Sequence, residues 1–387
     1  MGCLVYFSFP AHGHIHPTLP VVRELACRGQ PVVYFGTEPY RQTIQATGAS
    51  FYPYPPQLLP PEQGPGPFSQ VSTTLETLLA WTGAVLDQQL DLVRSLRPTH
   101  ILHDSFAPWG SLMAQLLGLP TIASVPSILI NAAIDSRYGA ETADPRLTPE
   151  WYAGFRSRLD TCLRRCGFRE PISPPQLLQT YGDGNIVYTS RLFQPMAEDF
   201  DERRFRFVGP CFDFRPHAPP FPFERLDGRP LVLISLGTVY GNCLEFFRAC
   251  AGELADAPWQ IVVSTGVDFG PAPENFVVRP FVPQIEILKR CAAFVSHGGM
   301  NSVQEALYHD VPLVVVPQAA DQFWIASRAR ELGAAAPPGG IRESIDKVLS
   351  SPGYRTAAAR VGESLRAAGG HRRAADEIES FIGHPVR

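Results

Sequence analysis

The chain has 387 residues, too many for one ordinary core and suited to two domains of roughly 150–200 residues each. Apolar side chains make up 45% and charged ones 18%, which predicts a packed interior and argues against disorder. A formal net charge of −4 leaves no basic face to neutralise phosphates, so nucleic acid is not an expected partner.

Residues 4–9 form a short apolar run that reads as a strand, and residues 1–10 lack the basic leader and cleavage pattern of a signal peptide. Pro17 opens a helix with Leu19, Val22 and Ala26 on one stripe, and Gly29 ends it. A strand is expected at 31–35 and a short helix at 38–47, closed by Gly48. Residues 52–67 are rich in Pro, Gly and Gln and predict a long loop, a feature that is usually functional. A long helix follows on Leu75, Leu78, Leu79, Leu86, Leu90 and Val93, then a strand at 100–103, a helix at 109–117 and a strand at 121–125. Short buried strands alternating with helices predict a parallel sheet covered on both faces.

Between 210 and 230 the sequence turns proline-rich and aperiodic, as an interdomain linker would. The alternation then restarts, with strands at 231–236, 260–264, 292–296 and 312–316. Helices are expected near 244–254, 285–290, 301–309 and 323–332, and 354–382 is helical and amphipathic. The reading is therefore α/β, with two Rossmann-like doubly wound domains, 1–209 and 231–387, in series. No run approaches the ~20 apolar residues of a membrane span. The eight cysteines lack C-x-x-C spacing, and Cys27, Cys250 and Cys291 lie in apolar runs; they read as buried thiols in a reducing, cytoplasmic compartment.

Open α/β sheets bind ligands at the carboxyl ends of their strands. Four features fall there: His12, His14 and His16 before Pro17; Asp104; Ser235, Gly237 and Thr238; and the run from Phe281 to Gln322. In the last, Gly298 and Gly299 permit close approach to the backbone, and Asn301 and Ser302 stand at a helix start, where unpaired N–H groups favour an anion such as a diphosphate. Glu305, one turn on, can reach a ribose diol beside it. Phe281 offers a flat face to a base, and Asp321 and Gln322 offer polar groups at the spacing of adjacent sugar hydroxyls.

This order resembles the C-terminal signature of the UDP-glycosyltransferase superfamily, fold GT-B, and is most similar to its bacterial macrolide-glycosyltransferase-like branch. The resemblance spans essentially the whole chain, including Gly13-His14-Ile15-His16-Pro17 and His103-Asp104. It implies two domains facing a cleft, an acceptor-binding one at 1–209 and a donor-binding one at 231–387, with the final helix packing back on the first. It also implies that Phe281 stacks on uracil, the Val282 backbone reads the base edge, and Gln284 and Glu305 bind ribose. His297, Gly299, Asn301, Ser302 and Thr238 would hold the diphosphate, with Ser235 and Gly237 in the same donor site; Asp321 and Gln322 would bind the hexose. Met300 departs from the Trp of plant members. His14 would be the general base and Asp104 the carboxylate that orients it; histidine titrates close to working pH, and a carboxylate behind it fixes the tautomer.

The activity so implied is transfer of a hexose, glucose foremost, from a UDP-sugar to a hydroxyl of a small apolar acceptor, with inversion. The UDP-sugar is a co-substrate, and neither metal nor cofactor is expected. Trp81, Phe106 and Ile130 are candidate acceptor contacts. Two alternatives stand beside this reading: a metal-dependent hydrolase using His12, His14 and His16, and a non-catalytic partner of another transferase. Asp199-Phe200-Asp201 spells a D-x-D but reads as a solvated charged turn.

Overall fold

The computed structural model describes residues 2–58, 70–138, 144–214, 220–237, 243–319 and 321–383. Two parallel sheets organise them. The first contains β1 (Leu4–Phe7), β2 (Val32–Gly36), β3 (Ser50–Pro53), β4 (His100–Asp104), β5 (Thr121–Val125), β6 (Gly184–Val187) and β7 (Phe205–Phe207) in the order β3-β2-β1-β4-β5-β6-β7. The second contains β8 (Leu231–Ser235), β9 (Gln260–Ser264), β10 (Phe276–Arg279), β11 (Cys291–Ser296) and β12 (Leu313–Val315) in the order β10-β9-β8-β11-β12.

The central strands are apolar throughout because both faces are covered. Along β1, Val5 and Phe7 enter one core while Leu4 and Tyr6 enter the other. Along β8, Leu231 and Leu233 pack on one side and Val232 and Ile234 on the other. One cluster is continuous between the halves, joining Ile128, Leu129 and Phe193 with Met300, Trp324 and Ile325.

Several expected elements change in the structure. Residues 12–16, read as a loop, contain the helical turn His12–Ile15. Residues 38–47 divide into a 3₁₀ turn, Glu38–Tyr40, and the helix Arg41–Gln45. The strands β3, β6, β7 and β10 carry weak sequence signals: β3, β7 and β10 are short edge strands, and β6 begins Gly-Asn, poor strand formers. Gly184 is there because a Cβ at that position would lie 2.5 Å from the Phe381 ring. The amphipathic stretch 354–382 is two helices, Pro352–Ala367 and Gly370–Gly383, broken where Gly369 and Gly370 take φ of 99° and 65°.

The helix Gly370–Gly383 packs on the first sheet's side, against the helix Thr18–Cys27 and β6. Its Ala374, Ala375, Ile378 and Phe381 share a core with Leu4, Tyr6, Ile122 and Ile186. Arg28 clamps the same interface through Asp376 at 2.7 Å and Glu379 at 2.8 Å. All eight cysteines are free thiols; Cys211, Cys250 and Cys291 are buried, but Cys27, expected inside, is exposed as the last residue of its helix. No helix among the described residues is long and apolar enough to cross a membrane.

Candidate active site

In each sheet the strand order reverses once, between β1 and β4 and again between β8 and β11. Connections leave such a pair of strands in opposite directions, opening a crevice at their carboxyl ends. Residues 8–16 and Asp104 emerge at the first crevice; Ser235–Gly237 and His297–Asn301 emerge at the second.

At the first crevice, Ala11 is extended and the chain then coils through His12–Ile15. A helix turns about 100° per residue, so alternate positions point to opposite sides. His14 therefore faces away from His12 and His16, whose rings touch each other at 3.8 Å. His14 Nδ1 lies 3.0 Å from both oxygens of Asp104, which is fully buried. The Phe106 backbone N–H donates to Asp104 Oδ1 at 2.8 Å, fixing the carboxylate as the chain turns into the helix Pro108–Leu117. That helix approaches closely because Gly110 has no Cβ, which would lie 2.4 Å from His103 Cβ.

A proton on Nδ1, donated to Asp104, leaves Nε2 of His14 as the ring's acceptor. Burial disfavours the charged ring, but the Asp104 charge and hydrogen bond, with a smaller contribution from Asp321, outweigh it and hold His14 above its ordinary pKa. The imidazole is 21% exposed and sits between Phe9 at 4.8 Å and Phe106 at 5.4 Å, with Trp81 5.8 Å beyond Phe9. Trp81 and Phe106 thus gather around His14. Ile130 packs in the cluster shared between the halves, its N–H held by Gln179 Oε1 at 2.9 Å.

At the second crevice the glycines are a steric necessity. A Cβ on Gly237 or Gly299 would fall 2.6 or 2.4 Å from the His297 ring, and Gly298 takes φ of 91° with Val315 and the Gln322 carbonyl against it. His297 is held between them, its pKa pushed down to about 4 by burial, so it is neutral at ordinary pH. The helix Met300–Tyr308 starts beside it, with Asn301 and Ser302 in its first turn. Gln284 Nε2 donates to Glu305 Oε2 at 2.7 Å and lies 3.4 Å from Ser302 Oγ, so these three side chains form one cluster. Phe281 stands 67% exposed at the rim, and Val282 packs inward. Ser235 Oγ accepts from the Gly237 N–H at 3.3 Å. Thr238 and residues 59–67 of the long loop lie outside the described residues.

The last pair divides. Gln322 turns inward, its Oε1 accepting from the N–H groups of Gln318 at 2.8 Å and Ala319 at 3.2 Å. Asp321, at the start of the helix Gln322–Glu331, does not cap it and instead accepts from Ser127 Oγ across the cleft at 2.6 Å. A second bond crosses nearby, from Asn301 Nδ2 to the Gly13 carbonyl at 2.9 Å. Beside it a small cleft, open to solvent, is lined by His16, Pro17, Phe212, Asn301 and Glu305.

Phe9 and Ser127 are site residues that sequence reasoning missed. Both follow the ends of central strands, β1 and β5, and that position was their one available signal. Among the described residues no group of three or more His, Cys, Asp or Glu side chains could hold a metal ion, and the opposed faces of His12 and His14 speak against the alternative built on them. Of the D-x-D pair, Asp199 accepts from Asn131 at 2.9 Å and Asp201 pairs with Arg203 at 2.9 Å.

Residues 251–378 match the family model described as Erythromycin biosynthesis protein CIII-like, C-terminal domain. The chain is 32% identical to the protein described as uncharacterized UDP-glucosyltransferase YojK from Bacillus subtilis (strain 168), over 98% of this chain and 97% of that protein. It is 33% identical to the demethyllactenocin mycarosyltransferase of Streptomyces fradiae, over 99% of this chain and 87% of that one. Among solved structures it is similar to the glycosyltransferase of kitacinnamycin, with a TM-score of 0.85, 30% identity and coverage of 98% and 99%. Similarity of that depth, end to end, joins sequence and architecture in one assignment: the chain belongs to the UDP-glycosyltransferase superfamily, as a GT-B glycosyltransferase of its macrolide-glycosyltransferase-like branch.

Proposed function

We propose that this glycosyltransferase moves a hexose, glucose foremost, from a UDP-sugar to a hydroxyl of a small apolar acceptor, with inversion and without a metal. The observation that carries the reading is the His14–Asp104 pair at 3.0 Å, on the wall facing the glycine-lined helix start at Met300. His14 Nε2 takes the acceptor's proton as its oxygen attacks the anomeric carbon. The bond to the diphosphate breaks, and UDP leaves with the electron pair. Attack from the face opposite an α-linked leaving group gives a β-glycoside.

On the donor side Phe281 stacks on the uracil and the Val282 backbone meets its edge. The paired Gln284 and Glu305 take the ribose hydroxyls. Backbone N–H groups at the helix start, with Gly299, Asn301, Ser302 and a neutral His297, hold the diphosphate, and their positive potential replaces that of a divalent ion. Asp321 accepts from hexose hydroxyls, and Gln322 contributes its remaining amide donor. Phe9, Phe106 and Trp81 give the acceptor an apolar, aromatic seat beside the base.

Preference for UDP rests on Glu305, which is 3% exposed and whose second ribose partner a deoxyribose nucleotide lacks. A buried acceptor left unpaired costs about 1–3 kcal/mol, or roughly tenfold or more in donor choice. A second reading deserves a place because one relative is named for mycarosyl transfer rather than glucosyl transfer: a donor carrying a different sugar. Comparing kcat/KM for UDP-glucose and dTDP-glucose, before and after Glu305→Ala, with the product anomer assigned by NMR, decides between them. A dTDP preference or an α-linked product defeats the first reading.

A further inference from the structure

The contact between Ser127 and Asp321 joins the two halves at the place where the sugar of the donor would lie. Ser127 follows Pro126 in the loop after β5, on the acceptor side. That loop is firmly held: the Leu129 N–H donates to Gln194 Oε1 at 2.8 Å, and Gln194 Nε2 returns a bond to the Leu129 carbonyl at 3.1 Å. Gln179 Nε2 donates to the Ile128 carbonyl at 3.1 Å, and Ile128 and Leu129 are buried. Ser127 is thus delivered to the cleft by a rigid frame.

Asp321 is equally unusual on its own side. An aspartate at a helix start ordinarily accepts from the N–H groups of the first turn. Here the carboxylate makes no such bond and meets Ser127 Oγ at 2.6 Å. It also lies close enough to His14 for each to influence the other's charge. Burial raises the Asp321 carboxyl above the usual range, and the Ser127 hydroxyl and His14 pull it back toward the charged state.

We propose that Ser127, on the acceptor-side half, positions Asp321 for the donor sugar: its hydroxyl holds one oxygen of Asp321, so that the other is presented to a hydroxyl of the sugar next to His14. The inference rests on the reading of Asp321 as a sugar ligand. Ser127 acts through Asp321 and is a positioning residue. Without its hydroxyl the carboxylate loses a charge-assisted bond and a fixed orientation, a loss on the scale of about tenfold. The nucleotide half of the donor, held by Phe281, Glu305 and the helix at Met300, should not sense the change.

The experiment measures the affinity gained by adding glucose to the nucleotide: UDP against UDP-glucose and dTDP against dTDP-glucose, by calorimetry, in wild type, Ser127→Ala, Ser127→Thr and Asp321→Ala. The expected result is that Ser127→Ala reduces the glucosyl gain about tenfold with UDP affinity unchanged. Ser127→Thr, which keeps the hydroxyl, restores it, and Asp321→Ala removes it. A glucosyl gain untouched in Ser127→Ala but lost in Asp321→Ala overturns the role of Ser127 and leaves the sugar site standing. A gain untouched in Asp321→Ala, or absent from wild type with both nucleotides, overturns the sugar site and this inference together. UDP and UDP-glucose weakening equally in Ser127→Ala would reduce the contact to a structural one.

Discussion

His14 is pulled two ways, and the balance sets the pH at which it can work. Burial alone would lower its pKa, but Asp104 and then Asp321 raise it above the ordinary value of about 6.5. A general base must be unprotonated, so the rate should climb as pH rises through that elevated pKa. Asp104→Asn removes the main raising influence; the acidic limb should then move to lower pH while the rate falls, as read from a pH profile of kcat/KM. An unchanged profile and rate would make Asp104 structural. His14→Ala should lower turnover by about 10²–10⁴ with UDP affinity nearly constant, since the proposed nucleotide contacts lie on the other half. Wild-type turnover on an alcohol acceptor would remove His14 from the chemistry. Both residues could be singled out because one follows β1 and the other ends β4, where a parallel sheet exposes side chains, and the family resemblance paired them. Ser127 could not be, because a serine after a proline looks like any loop residue until the facing half places Asp321 against it. Asp321 and Gln322 look equivalent in sequence, yet one faces the cleft and the other braces its own loop.

In the proposed function, the helix Met300–Tyr308 and its glycine approach are the element on which donor binding would turn. Gly299→Ala would drive a methyl group into the His297 ring, so the imidazole or the helix start must move. The expected outcome is a large loss of UDP affinity in titration with thermal stability lowered by a few kcal/mol at most, since the strain is local. Unchanged affinity would show that His297 and the helix start have room to adjust. With His297 held neutral near a pKa of about 4, the proposed attraction for a diphosphate would come from backbone N–H groups rather than from a cation. UDP-glucose affinity should accordingly be flat between about pH 7 and 9, and activity should survive EDTA; activity abolished by EDTA and restored by magnesium would contradict the metal-free reading. Elements with strong apolar runs, such as β8, β11 and the long helix Val71–Leu96, were legible. The edge strands β3, β7 and β10 were not; β7, for one, is three half-buried residues whose conformation is imposed by pairing with β6, whereas the edge strand β12 could be read from its apolar run. The turn at His12–Ile15 was missed because His-Gly-His-Ile has little helical preference of its own, and Gly13 opposes it.

At the scale of the whole molecule, two chain segments join the halves. Gly209 and Gly370 are both in the left-handed region, and the Gly370 N–H donates to the Val208 carbonyl at 2.6 Å, so the crossings lie side by side. The linker that looked free in sequence is anchored where it is described. Phe212 packs on Tyr308 at 4.9 Å, Asp213 accepts from His371 at 2.8 Å, and Phe214 receives Arg23 at 4.9 Å. Motion of the halves should therefore concentrate at these glycines, and small-angle scattering should show a more compact particle with UDP than without. Identical profiles would mean that bonds such as Ser127–Asp321 keep the cleft shut beforehand. The helix Gly370–Gly383 belongs to the half at the opposite end of the sequence, and truncating its buried Phe381 to Ala should cost about 3–5 kcal/mol in denaturant unfolding. That placement also sets a timetable. A ribosome must finish the whole second sheet before it makes the segment that covers Ile122, Ile186 and Tyr188 in the first. Until then the earlier half carries an uncovered apolar face, a surface that chaperones recognise, and the part of the protein translated first is the part completed last.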